Sequence, residues 1–187
     1  MPTVDQAEHL MREGAFQKAK VLLSEILSDD PEDLRAICDI GIAYTETGEN
    51  MKAIRALDHY IRNDQTNPYA WEALGCATFR TGDFDRARVC LVKSLDLMPD
   101  NPSSLRNLGI LHGMEGRQEE GLQLLQRSMR LAPGDYRTLY ALNYAFRDSG
   151  AQEERTRILD RLTEFELPEE IRKDVELSRI RMNIGWE

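Results

Sequence analysis

Apolar residues recur along the chain at three- and four-residue intervals in short blocks: Ile37, Ile40 and Tyr44; Trp71 and Leu74; Leu105 and Leu108; Leu139, Leu142 and Phe146. Each block makes one apolar face of a helix. A second helical stripe also recurs, as in Phe16, Ala19 and Leu23, in Ala53 and Leu57, and in Phe84, Ala87 and Leu91. Glycines at 14, 48, 82, 116 and 150 precede the second stripes and fix a repeat of 34 residues. The pattern predicts a unit of two short antiparallel helices, with the ladder glycine relieving the backbone at the turn between them. A second series, Gly41, Gly75 and Gly109, falls inside the first helices, where it lets neighbouring helices approach closely.

Pro31, Pro99 and Pro133 stand between units, where a missing amide donor is harmless in the first turn of the next helix. At the second junction proline shifts to Pro68, but Trp71, Leu74 and Gly75 keep the register. A helix pair of this length cannot readily bury both its faces alone, so stacking is expected to make one continuous core. The expected pairs cover about 3–31, 34–66, 68–99, 102–133 and 136–166, with a last helix over about 169–182 in a single domain. Thr3 and Gln6 have capping-box spacing at the start of an atypical first pair.

The last helix carries two stripes. Ile171, Val175 and Met182 form one, interrupted by Ser178, and Leu177, Ile180 and Ile184 form the other. Pro168 suits its first turn, and Glu169 and Glu170 suit its positive end. Two roles stay open for it: a cap on the last pair, or a partner-binding helix. Trp186 either anchors the tail or stays exposed.

Trp71, Leu74, Gly75 and Thr78, with a tyrosine at the corresponding Tyr44, followed by Phe84, Ala87, Leu91 and Pro99, resemble the W-x2-L-G-x2-Y…A…F…P pattern of the tetratricopeptide repeat family. The resemblance covers about 165 residues. It implies an all-α fold: a right-handed α-α superhelix of about five helix pairs with a C-terminal capping helix. Three positions depart from the pattern. Asn143 stands where glycine is usual, and Gly121 and Arg155 stand where alanine is usual. An interior glycine costs about 0.5–1 kcal/mol relative to alanine, so the helix holding Gly121 is expected to pack less tightly unless a close contact compensates.

The family resemblance further implies protein recognition through a concave surface lined by the first helix of each pair. Carried onto this sequence, the groove candidates are Arg35 and Ile42; Tyr69, Glu72, Cys76, Phe79 and Arg80; Arg106, Ile110 and Met114; and Arg137, Tyr140, Tyr144 and Arg147. Aromatics bury peptide side chains, and arginines bond carboxylates directionally. The matching partner is a protein or extended peptide, acidic with aromatic or aliphatic anchors. The Lys and Asn clamp by which some relatives hold a C-terminal carboxylate is not reproduced, because Cys38, Ile42, Glu72 and Cys76 occupy that surface. The alternative is a self-association module that joins identical chains through repeat edges or terminal helices.

Charge and composition narrow the remaining classes. A formal charge of -9 and a pI near 5.0 oppose broad nucleic-acid binding. No apolar run approaches membrane-spanning length, so membrane insertion is not expected. The polar, acidic start lacks a secretory pattern, which makes the cytoplasm the expected compartment. Residues 1–33 hold eight acids against three bases, a solvated end or a steering surface for a basic partner. Cys38, Cys76 and Cys90 lack metal or disulfide spacing and read as buried free thiols, and His9, His59 and His112 form no cluster. No phosphate loop, calcium loop or catalytic constellation stands out, so neither a cofactor nor an enzymatic activity is expected. A thiol-dependent enzyme is the distant alternative.

Overall fold

The computed structural model describes residues 2–184, without the side chains of Asn183 and Ile184; Trp186 and the side chain of Ile184 therefore lie outside the described residues. The described chain is all-α, with eleven helices and no strand. The helices run α1 (Val4–Arg12), α2 (Phe16–Asp29), α3 (Leu34–Glu46), α4 (Asn50–Asn63), α5 (Pro68–Arg80), α6 (Phe84–Leu97), α7 (Pro102–Met114), α8 (Gln118–Leu131), α9 (Tyr136–Ser149), α10 (Gln152–Leu162) and α11 (Glu169–Ile184). The first ten form five antiparallel pairs, and α11 stands last.

The ladder glycines explain the turns within pairs. Gly14, Gly48, Gly82, Gly116 and Gly150 all have φ between 73° and 84°, a left-handed conformation that costs other residues a Cβ clash. At each, two amides fold back on the helix just ended. Gly48 N donates to Thr45 O at 3.2 Å and Glu49 N to Tyr44 O at 2.9 Å, and the same two bonds recur at Gly82 and Asp83, 3.0 Å each. These are Schellman closures, which satisfy carbonyls that the helix end would otherwise orphan.

Side-chain caps fix the starts of α1, α3, α5, α6 and α9, whereas α2, α4, α8 and α10 begin without one. Thr3 and Gln6 exchange both bonds of the capping box. Asp33, Asn67, Asp83 and Asp135 each accept a backbone N–H at the start of α3, α5, α6 and α9. Such a cap is typically worth about 1 kcal/mol.

The chain divides into two compact units, one ending at Ser104 and the other beginning at Leu105, inside the first turn of α7. In the first unit, Ala7, Ala19, Leu23, Ala36 and Ile40 form one core cluster, and Ile37, Leu57, Ala70, Leu74 and Cys90 belong to a second. Glycine sets the contact distance here. A Cβ on Gly41 would lie 2.7 Å from Leu57 Cγ, and one on Gly75 would lie 2.8 Å from Leu91 Cγ.

In the second unit, Leu125, Leu139, Leu142, Phe146, Ile158, Leu159, Leu162 and Val175 form the core. The looser packing expected of the helix holding Gly121 is offset by a close contact: the missing Cβ of Gly121 would lie 2.6 Å from Gly109 O and 3.0 Å from Gly113 N. Two glycines facing each other bring α7 and α8 nearly backbone to backbone. The first stripe of α11 docks on this unit through Val175, 1% exposed, with Ile171 and Met182 packed beside it.

Candidate functional site

The first unit presents one set of candidate residues. Along α5, Ala70, Ala73, Leu74, Gly75, Ala77 and Thr78 are buried, while Tyr69 is 54% exposed and Glu72 and Phe79 are half-buried. Phe79 packs on Phe84 with ring centroids 5.5 Å apart. Ile42 of α3 is half-buried against the core. Arg35 is exposed, but Glu8 takes its Nε at 2.9 Å and Asp5 its Nη2 at 2.6 Å. Arg80 donates to the carbonyl of Thr45. Cys76 is buried, its thiol donating to Glu72 Oε1 at 3.7 Å.

Asp39, beside this set on α3, is half-buried, and its Oδ2 has no hydrogen-bond partner among the described residues. Burial, then the nearby charge of Glu8, pushes its carboxyl up to about 6, against an opposing pull from Arg35.

The second unit presents the other set. Met114 is 58% exposed, Ile110 is half-buried in the core cluster, and Arg137 is exposed. Arg106 is buried, with its Nη1 donating to Asp135 Oδ2 at 2.5 Å. Asp135 also caps α9 through Arg137 N at 3.1 Å and accepts from Thr138 Oγ1 at 2.7 Å. Burial opposes ionisation of Asp135, but Arg106, Thr138 and the capping amide together hold its carboxyl below the usual range. Tyr140 and Tyr144 meet edge to face, centroids 5.2 Å apart, and Arg147 lies 4.8 Å over the Tyr144 ring. Both phenols donate to Asp174 Oδ2 of α11, at 3.1 and 2.7 Å. Burial, reinforced by Asp174, pushes both phenols up.

The structure thus brings Tyr69, Glu72 and Phe79 onto one face of α5 and pairs Tyr140 with Tyr144. It turns Arg80, Arg106 and Cys76 toward internal partners. Sequence reasoning missed Asp174, although it stands one 34-residue period after Tyr140. It also missed an open cleft of about 440 Å³ in the first unit, where Lys20 and Lys52 meet Glu49 over the Tyr44 ring.

The thiols are unsuited to nucleophilic catalysis. All three are buried and outside any disulfide, and burial pushes Cys38 up to about 12 and Cys90 up to about 11, the reverse of an activated thiol. Among the described residues no group of His, Cys, Asp and Glu is placed to hold a metal ion, and no helix is long and apolar enough to cross a membrane.

Two family models match the sequence, each described as a tetratricopeptide repeat, over residues 10–75 and 72–136. No curated protein matches in sequence. Similar solved structures include MamA, at 20% identity and a TM-score of 0.64, over 84% of this chain and 92% of that one. The thermophilic protein TTC0263 of Thermus thermophilus is similar at 14% identity and a TM-score of 0.75, over 95% and 97% of the two chains. PilF of Pseudomonas aeruginosa gives 14% identity and a TM-score of 0.75, over 98% of this chain and 83% of that one. At these identities the likeness is one of fold.

Proposed function

Since the chain belongs to the tetratricopeptide repeat family, whose folds generally act as protein–protein interaction modules, we propose that it is an adaptor whose first-helix faces receive an extended segment of a partner protein. The observation that carries this reading is the two-sidedness of α5. One side is buried from Ala70 to Thr78, while Tyr69 stands 54% exposed beside half-buried Glu72 and Phe79. An aromatic ring with an accessible face and few rotatable bonds gives contact area at low entropic cost.

The partner segment supplies an aromatic or aliphatic anchor to Tyr69, Phe79 and Ile42. An acidic residue beside that anchor finds Arg80 within the same set, where it competes with the Thr45 carbonyl for the guanidinium. In the second unit, Met114, Tyr140 and Tyr144 are the corresponding apolar candidates.

Affinity capture from native cell extract with the full chain tests the reading. Tyr69→Ala and Phe79→Ala variants that unfold at the wild-type urea midpoint are expected to lose specific partners. Retention of every specific partner by both folded variants rejects the first-helix face as the binding surface.

A further inference from the structure

Asp39 stands at the seam between α3 and α1. Its register mate one period on, Ala73, is 5% exposed and shares a core cluster with Ile37 and Cys38 of the preceding first helix. The Ala73 carbonyl also accepts from Thr45 of that helix at 3.4 Å. By the same register, Asp39 faces the first helix before it, α1. Later repeats place Ala73, Asn107 and Ala141 at this position, all uncharged. Asp39 brings a carboxylate instead, and its Oδ2 is buried with no hydrogen-bond partner among the described residues.

The surrounding charges leave that carboxylate poorly compensated. Glu8 acts on it from α1 and Asp33 from the cap of α3, both acids. Arg35, one turn earlier on α3, is the base that acts on it, but its guanidinium is already divided between Glu8, 2.9 Å from Nε, and Asp5, 2.6 Å from Nη2. Neighbouring Cys38 is kept neutral by burial, and no charged group of α2, α4 or α5 bears on Asp39. Ionisation of Asp39 therefore sets a desolvated charge beside Glu8 across one seam, and protonation removes both penalties.

The element that can yield is α1. It has nine residues, too few to persist as a helix without tertiary packing. Ala7 is its one buried residue, with Val4, Leu10 and Met11 partly buried beside it. Helix α2 keeps contacts of its own in the same cluster, Ala19 and Leu23 with Ala36 and Ile40. We infer that the seam of α1 and α3 is a proton-stabilised latch: protonated Asp39 lets α1 dock, and ionised Asp39 favours an opened state in which α1 leaves α3 while α2 and the later helices stay folded. Opening hydrates the carboxylate and carries Glu8 away from it. The docked carboxyl titrates at about 6, above the usual value near 3.8, so the docked state loses ground as pH rises through about 6.

Hydrogen exchange of the full chain, followed amide by amide from about pH 5 to pH 7.5 and corrected for intrinsic rates, tests the latch. The wild-type α1 amides of Glu8 to Met11 are expected to be less protected than those of α5. Their protection is expected to fall on the order of tenfold across the range, the ratio that follows from moving one carboxyl from about 3.8 to about 6. Asp39→Asn keeps the side-chain shape without the titration and is expected to abolish most of that fall. Histidine is the other side-chain type of α1 that titrates in this range, and His9 lies 3.4 Å from Glu13; His9→Gln is expected to leave the fall in place. Wild-type α1 amides as protected as those of α5, or a fall that persists in Asp39→Asn, overturns the inference.

Discussion

Arg155 donates its Nε to Asn143 Oδ1 at 3.0 Å, with Arg155 3% exposed and Asn143 fully buried. The two residues replace the small pair of the tetratricopeptide pattern, glycine on the first helix and alanine on the second. Both departures occur in the same helix pair, and the larger side chains meet each other. A polar contact thereby stands where other pairs rely on close backbone approach.

Breaking that contact from one side leaves the other group buried without it. Asn143→Ala or Arg155→Ala is expected to cost about 2–4 kcal/mol each. The double variant is expected to cost less than the sum by about 1–2 kcal/mol, the coupling of two groups in one network. Urea denaturation of the four proteins in the cycle measures it, and strict additivity would show that the pair does not act together.

The repeat organisation was legible because its chemistry is local. A left-handed turn demands glycine, and that demand returns every 34 residues at Gly14, Gly48, Gly82, Gly116 and Gly150. The groove chemistry was less legible because an arginine's partner lies on another helix. Arg80 looks forward to a ligand in sequence, yet it bonds Thr45, 35 residues back; Arg106 bonds Asp135, 29 residues on. Stepping one period along the chain would have flagged Asp174 for Tyr140, but only packing shows that Tyr144 shares it.

Gly121 and Gly113 respond in opposite directions to the same substitution. A Cβ at Gly121 meets backbone atoms of Gly109 and Gly113 at 2.6 and 3.0 Å, and backbone cannot swing aside. Gly121→Ala is therefore expected to destabilise by about 1–3 kcal/mol despite alanine's better helix propensity. Gly113 is exposed with nothing within 4 Å of its missing Cβ, so Gly113→Ala is expected to stabilise by about 0.5–1 kcal/mol. Thermal melts of the two variants distinguish the cases, and equal shifts in the same direction would refute the backbone clash.

Asp39 gives the fold a pH dependence of the less common sign. Its folded carboxyl titrates at about 6, above the usual carboxylate value near 3.8, so the folded state holds its proton more tightly than the unfolded chain. The group costs nothing below the unfolded value and destabilises progressively as pH rises through about 6. Asp39→Asn is expected to raise stability at pH 7.5 by on the order of 1–2 kcal/mol, with the gain disappearing near pH 4. Urea midpoints of both proteins across that range decide it; a gain independent of pH would assign the effect to packing instead.

Arg106 tests stability rather than recognition. With Arg106 and Asp135 both largely withdrawn from solvent, 10% and 22% side-chain exposure, removing the guanidinium leaves the carboxylate that caps α9 without its counter-charge. Arg106→Met is expected to cost about 2–4 kcal/mol at neutral pH. Because the folded Asp135 carboxyl lies below its usual value, its own contribution is present above the unfolded carboxylate range and is lost as pH falls through the folded value. The gap between wild type and Arg106→Met should therefore narrow on acidification, when both chains protonate Asp135. A denaturation series from pH 7 to pH 3 reads this directly, and a gap that stays constant would place the cost in lost packing of the Arg106 stem. Partner loss in this variant would follow from unfolding, whereas Tyr69→Ala removes an exposed ring with no such burden and reports on the face itself.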